Sequence, residues 1–217
     1  MSALLPQLVV LAVGGSIAPP LLLLTILSLG SERPLPNAIA LALGYFTTCA
    51  AIGIAGLTLF DGAGSAASTA GSVIGVAVGA LLIVLGFRSL LNAPDPDAQP
   101  PRWMASIHSM SPSRAFGFGM ALFPVQIKNL AIFVACIELL VASSFSLQSS
   151  IVALGLVLAI FAIPILVLIG LYALVPLRAS DVLGSLRTWM EKNGRAITVV
   201  VCFLFGAFFL VRGLTGP

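Results

Sequence analysis

The sequence predicts an all-α, polytopic membrane protein, and two observations support this prediction. Of the 217 residues, 59% are hydrophobic and only 8% are charged, with a mean hydropathy of +1.16; a typical soluble domain has about 25% charged residues. Apolar runs of about 18 or more residues, long enough for a helix to cross a hydrocarbon core, recur along the chain. Because these runs are too long for barrel strands and show no two-residue alternation, we expect helices.

Six spans are predicted, divided into two halves of three. An odd number of spans in each half gives the halves opposite orientations, which is the inverted-repeat design of many secondary transporters. The whole chain, 1–217, is predicted to be one six-helix transmembrane domain, with a first half at 1–91, a cytoplasmic link at 92–114 and a second half at 115–217. The predicted spans are 3–29, 37–60, 70–91, 115–141, 149–175 and 197–214.

The basic residues predict the orientation of these spans. Eight of the ten Lys and Arg residues lie in or beside the links that follow the first, third and fifth spans. The positive-inside rule then places these links in the cytoplasm and both termini outside, as in a multi-pass protein of the inner (cytoplasmic) membrane. The fifth link, 176–195, carries Leu183, Leu186 and Trp189 on one helical face, which is typical of a short interfacial helix. We interpret the net charge of +3 as orientation and contact with membrane lipids, not as nucleic-acid binding.

Lys128 lies near the centre of the fourth predicted span, where a charge costs roughly 2.5–3.5 kcal/mol. It is about 20 Å from either end of that span, too far for its side chain to reach the interface. Glu138 lies about 15 Å along the same helix and is too far away to pair with it directly. We therefore expect Lys128 to meet a negatively charged substrate or to act in gating. The structural alternative is a buried ion pair.

Two interruptions of the apolar pattern predict where a substrate binds. The first span contains GGSIAPP at 14–20, and the fourth contains FPVQIKN at 123–129, in which Pro124 removes a backbone donor and predicts the break. Matched breaks in the leading helices of two halves point to a site at their junction, although Gly and Pro are also frequent in ordinary membrane helices. Glu138 is a candidate for energy coupling. The predicted substrate-binding residues are Ser16, Pro19, Pro20, Pro124, Gln126, Lys128 and Asn129.

The other side chains argue against metal transport and catalysis. Hard divalent cations prefer carboxylate and carbonyl oxygens, whereas the polar residues near the predicted midplane are Lys, Asn, Gln, Ser and Thr. The three cysteines lie singly in different apolar segments and form no CxxC motif. No nucleophile–base pair and no phosphate-binding loop motif occurs in the sequence. We expect no metal site, no cofactor and no enzymatic activity.

Three stretches carry a family resemblance: PPRWMASIHSMSPSRAFGFGMALF, QIKNLAIF and the closing LRTWMEKNGRAITVVVCFLFGAFFLVRGL. They resemble the GAP family (glycolipid or peptidoglycolipid addressing proteins, including the sulfolipid-addressing type) of the lysine-exporter (LysE) superfamily. Lys128 and Asn129 match the NPKNL signature of that family, whereas Gln126 and Ile127 replace its Asn-Pro. The resemblance implies a six-helix export protein of the inner membrane whose substrate is an envelope lipid, a glycolipid or a lipid-linked precursor.

Three functions remain open from the sequence. The leading hypothesis is a transporter or flippase for an anionic lipid or glycolipid, driven by a proton gradient. The second is an exporter of a small solute such as an amino acid, because the same donors would bind a carboxylate. The third is an assembly factor that recruits lipid-synthesis enzymes through the links at 92–113 and 176–195. Gly71, Gly75 and Gly79 form a ridge that predicts close helix packing within the chain or in a homodimer.

Overall fold

The structure, a computed structural model, describes residues 4–60, 64–91, 107, 109–143 and 145–215, which form helices and no strand. The all-α prediction is therefore confirmed for this part of the chain. In chain order the helices are α1 (Leu4–Ser16), α2 (Pro19–Leu29), α3 (Pro34–Phe60), α4 (Gly64–Leu91), α5 (Pro112–Val125), α6 (Ile127–Val141), α7 (Leu147–Leu174) and α8 (Pro176–Thr215).

Several of these helices are long and apolar enough to cross a membrane. Two qualify singly, over Pro34–Leu59 and Leu147–Leu174. The described residues also contain two bent pairs that each qualify when counted as one span: α1 with α2, bent by 52°, and α5 with α6, bent by 74°. Shorter apolar segments at Val76–Leu91 and Ala196–Val211 complete the set. The chain is thus a membrane protein with two to four candidate spans by this test, and six spans remain a prediction.

The C-terminal helix differs from the prediction. α8 has 40 residues, about 60 Å at the rise of an α-helix, so the predicted interfacial helix and the predicted last span are one continuous helix. Its N-terminal part also packs on protein: Leu183 is buried in one apolar cluster with Leu29 of α2 and Leu168 of α7. Of the face that predicted membrane contact, Leu183 is therefore buried against protein, whereas Trp189 is 52% exposed. Most of the predicted link at 92–114 lies outside the described residues.

The break in the fourth predicted span lies at Gln126 and not at Pro124. α5 continues through Pro124 as far as Val125. Proline has no N–H to donate to the carbonyl four residues earlier, which here belongs to Met120. The Thr48 hydroxyl of α3 donates to that carbonyl instead, over 3.2 Å. Because the orphaned carbonyl has a partner, α5 tolerates the proline and ends one residue later, at Val125.

Helices α4 and α8 run antiparallel and form an extensive contact. A β-carbon built on Gly79 of α4 would lie 2.7 Å from the Leu210 nitrogen, and one built on Gly206 of α8 would lie 3.1 Å from the Gly79 oxygen. Nearer the end of α4, Gly86 faces Phe203. Such close backbone contact requires glycine at these positions. Gly79 belongs to the predicted glycine ridge, so at this position the ridge packs helices within the chain.

Helices α3 and α5 form the second extensive contact, again through glycines. Gly44 of α3 lies against the Phe116 carbonyl of α5, and Gly119 of α5 lies against the Leu41 carbonyl of α3. Helices α1 and α2 both contact α7, and α2 also contacts α3. This arrangement brings the break between α1 and α2 next to the break between α5 and α6.

Candidate functional site

The break between α5 and α6 is a single non-helical residue, Gln126, with φ −81° and ψ 72°. Ile127, Lys128 and Asn129 are then the first three residues of α6. The first N–H groups of a helix have no acceptor within the helix, and they form the positive end of its dipole. The ammonium of Lys128 and the positive end of α6 therefore act on the same region of space.

Lys128 connects the two breaks directly. Its Nζ donates a hydrogen bond of 2.7 Å to the carbonyl oxygen of Ile17, which lies between α1 and α2. An ammonium has three N–H donors, and this bond uses one of them. No carboxylate of the described residues forms an ion pair with Lys128. The ammonium is thus hydrogen-bonded to a backbone carbonyl and is not paired with a carboxylate of the described residues.

Two amide side chains next to Lys128 leave one donor and one acceptor without partners. Asn129, which is only 1% exposed, donates through Nδ2 to Gln126 Oε1 at 2.9 Å and to the Tyr45 hydroxyl at 3.3 Å. Gln126 Nε2 and Asn129 Oδ1 are buried and have no partner among the described residues. Such groups cost about 1–3 kcal/mol each when left unpaired. They are therefore ready to bond a polar ligand or water.

A series of aromatic side chains packs beside the α5–α6 break. Tyr45, Phe123, Phe133 and Phe161 come from α3, α5, α6 and α7, and successive rings meet edge to face with centroids 5.2, 5.4 and 6.0 Å apart. All four side chains are buried. Edge-to-face pairs add about 0.5–1.5 kcal/mol beyond burial, so packing against Phe123 helps to position Tyr45, whose hydroxyl accepts the hydrogen bond from Asn129.

A pocket of about 400 Å³ lies beside this break, within the size range of ligand sites. Its walls come from the α5–α6 break and from α2, α4, α6 and α8, so both halves of the chain contribute. The lining residues are Pro19, Pro20, Leu85, Arg88, Ser89, Val125, Gln126, Ile127, Lys128, Asn129, Thr198 and Cys202.

The charge of the pocket has one sign. Arg88 and Lys128 both line it, and no carboxylate is among the described residues that do so. The polar donors concentrate around the break, whereas Leu85, Val125 and Ile127 supply apolar wall. Chemically, the pocket suits a ligand that carries an anionic group and an apolar part.

The structure brings most of the predicted site residues together. Ser16 is not among the lining residues, because its hydroxyl donates back to the Val13 carbonyl of its own helix at 2.7 Å. Pro124 is exposed in the last turn of α5 and does not line the pocket either. Glu138 lies half-buried on α6, away from the pocket lining. The predicted substrate-binding residues that do line the pocket are Pro19, Pro20, Gln126, Lys128 and Asn129.

Sequence reasoning missed the contributions of α4 and α8. Arg88 and Ser89 lie in the last turns of α4, and Thr198 and Cys202 face them from α8. In the sequence Arg88 counts only as one more basic residue on the predicted cytoplasmic side. The one available signal was its position within the last turn of an apolar span, but nothing in the sequence shows that this turn meets the FPVQIKN segment.

Comparison with known proteins places the chain in a family. A family model described as "Sap, sulfolipid-1-addressing protein" matches residues 8–215. The match therefore spans both halves and every residue of the pocket. No curated protein and no solved structure matches the chain. Membership of the lysine-exporter superfamily remains a prediction. Since the match covers nearly the whole sequence, the chain belongs to the sulfolipid-1-addressing protein (Sap) family.

Proposed function

We propose that the chain is a membrane transporter that moves an anionic lipid, glycolipid or lipid-linked precursor toward the outer face of the inner membrane. The observation that carries the proposal is the pocket at the α5–α6 break. There Lys128, the positive end of α6 and the unpartnered Gln126 Nε2 meet, and no described carboxylate opposes them. The family name refers to the addressing of a sulfolipid, which supports a lipid as the substrate.

The pairing of the helices supports the proposed plan of six spans in two inverted halves. Exchanging each helix for its counterpart in the other half, α1 for α5 through α4 for α8, largely preserves the contacts. Under this exchange the α3–α5 contact becomes the α7–α1 contact, the α2–α3 contact becomes the α6–α7 contact, and the α4–α6 contact becomes the α8–α2 contact; all of these contacts are present. The α4–α8 and α3–α7 contacts are each converted into themselves. Two halves related by a two-fold axis in the membrane plane would produce this pattern. Both termini then lie outside.

The position of the pocket supports loading from the cytoplasmic side. Arg88 lies just before the link at 92–114, and Thr198 lies just after the basic segment at 176–195. The positive-inside rule assigns both segments to the cytoplasm. The substrate headgroup enters there and reaches Lys128, and the two breaks act as hinges when the halves rock. A proton gradient drives the cycle, with Glu138 as the coupling carboxylate.

The test compares the envelope lipids of cells that carry wild-type protein, Lys128→Ala, Lys128→Gln or no protein. We expect both variants to reproduce the lipid profile of the deletion strain, with export reduced at least about tenfold, the loss expected for one charge-assisted contact. Lys192→Gln is the matched control, because it removes the charge of an exposed lysine on α8. Normal export by well-expressed Lys128 variants would contradict the proposal.

The same strains distinguish the other two functions. An exporter of a small solute would change the extracellular amino acids upon deletion and leave the envelope lipids unchanged. An assembly factor that recruits lipid-synthesis enzymes would lose function when the link at 92–106 is shortened, whereas Lys128→Gln would keep it. Either result would replace the transporter proposal with the corresponding alternative.

A further inference from the structure

A second cation reaches the pocket from the opposite half of the chain. Arg88 lies in the last turn of α4, which belongs to the first half, whereas Lys128 opens α6 in the second half. The turn that carries Arg88 packs against α8 at Gly86. A β-carbon built on Gly86 would lie 3.2 Å from the ring of Phe203 and 3.3 Å from the β-carbon of Cys202. The location of Arg88 is therefore set by helix packing.

The pocket gives these two cations no acidic partner. No described carboxylate lines it, and neither Arg88 nor Lys128 forms an ion pair with any residue that the structure describes. An anion bound in this pocket can form charge-assisted contacts with both cations.

The geometry of the donors favours one class of anion. Lys128 supplies a point charge, Arg88 supplies a planar fork of N–H groups, and Gln126 supplies the unpartnered Nε2 donor. These donors belong to α6, to α4 and to the break. A phosphate or sulfate ester can present a different oxygen to each of them. A carboxylate has only two oxygens, so at least two of the donors must share one.

We propose that Arg88 binds the anionic headgroup of the substrate together with Lys128, and that the pair selects phosphate or sulfate esters over carboxylates. This inference rests on the proposed function and adds a specificity residue to it. Because the two cations come from different halves, the bound oxyanion also joins the halves while the pocket is loaded.

The test measures the thermal unfolding of the full-length protein in a zwitterionic detergent, with and without anionic probes. The probes are dihexanoyl phosphatidic acid, hexanoate, sodium phosphate and sodium sulfate. A ligand that binds only the folded state raises Tm by an amount that grows with the logarithm of one plus the ratio of the free ligand concentration to Kd. The variants are Arg88→Gln and, as matched control, Arg114→Gln, which removes an exposed arginine from the first turn of α5 outside the pocket lining.

We expect dihexanoyl phosphatidic acid to stabilise the wild type and Arg114→Gln alike, and to bind Arg88→Gln about tenfold more weakly, the effect of one charge-assisted contact. Arg88→Lys should recover part of the affinity. We expect hexanoate to bind much more weakly than the phosphate ester, and the inorganic anions to bind more weakly than the lipid. An equal response to sodium phosphate and to the lipid would show a free-anion site and overturn the headgroup assignment.

The results that would overturn the role of Arg88 differ from the result that would overturn the anion pocket itself. If Arg88→Gln responds to the lipid as fully as Arg114→Gln, or if hexanoate matches the phosphate ester, Arg88 is not a specificity residue, and the proposed function stands on Lys128 alone. If the wild type responds to none of the anions, the anion pocket itself is wrong, and the proposed function fails with it.

Discussion

The two helix breaks lie side by side, yet they are made of opposite chemical groups. Between α1 and α2 the chain continues into Pro19 and Pro20, which have no N–H, so this break offers mainly the Ile17 carbonyl. At the α5–α6 break the first turn keeps its N–H groups and adds Lys128. The first break thus presents a hydrogen-bond acceptor, and the second presents hydrogen-bond donors. Of the two breaks, only the second therefore offers donors to an anion, and the first positions Lys128 by accepting its hydrogen bond.

The breaks also differ in what supports them. The glycines before the first break, Gly14 and Gly15, face the rings of Phe205 and Phe161. Gly119, which precedes the second break, faces the backbone of α3 at Leu41. A ring can turn about its side-chain bonds, whereas a packed helix backbone yields much less. We infer that the second break is the stiffer of the two hinges and that more of the motion occurs at the first.

The largest effect is expected from Gly119→Ala. The added methyl would collide with the Leu41 carbonyl, and overpacking that cannot relax costs about 3 kcal/mol of unfolding free energy. Gly117→Ala is the matched control on the same helix, since a β-carbon there meets no described atom within 4 Å. Denaturant unfolding of the two variants in micelles gives the difference. Equal stabilities would show that α3 and α5 are not packed through their backbones.

A smaller effect is expected from Gly15→Ala at the first break. The new methyl meets the ring of Phe161, which can shift at a cost of about 1 kcal/mol for a strained side-chain torsion. The same unfolding assay should place this variant between Gly117→Ala and Gly119→Ala. Adding Phe161→Leu should relieve the clash and reduce the penalty of Gly15→Ala. A cost as large as that of Gly119→Ala would mean that both breaks are equally rigid.

The smallest effect concerns the proline just before the second break. Thr48→Val removes the hydroxyl that bonds the Met120 carbonyl, and we expect a loss of about 1 kcal/mol, the net value of one hydrogen bond. Pro124→Ala restores the N–H that can bond this carbonyl within α5. In the Pro124→Ala background, Thr48→Val should therefore cost less. A double-mutant cycle measures this coupling, and strictly additive energies would show that Thr48 does not compensate for the proline.

Part of the fold and of the site could be predicted from the sequence alone. Hydropathy predicts the helical class, the Pro and Gly positions predict the two interruptions, and the cost of a buried charge makes Lys128 a candidate site residue. The exact break at Gln126 does not follow, because it depends on a hydroxyl that α3 supplies from 72 residues away along the chain.

Tertiary contacts explain the other differences. Arg88 joins the pocket only because Gly86 lets α4 approach α8 closely, and a single sequence does not show which turns of two helices meet. The basic segment at 176–195 continues without interruption into the last helix, and Leu183 is buried against α2 and α7. In each case the sequence shows the local pattern, and the fold supplies the contact that the sequence does not show.

The most direct test of the central claim, that an anionic lipid headgroup reaches Lys128, is a lipid-movement assay in liposomes. Purified wild type, Lys128→Gln and the control Lys192→Gln are reconstituted with fluorescent lipids that differ only in an anionic or a zwitterionic headgroup, with and without a proton gradient. We expect wild type and Lys192→Gln to move the anionic lipid several-fold faster than the zwitterionic one, and Lys128→Gln to lose this difference. Equal rates for both headgroups in the wild type, or an unchanged preference in Lys128→Gln, would contradict the account.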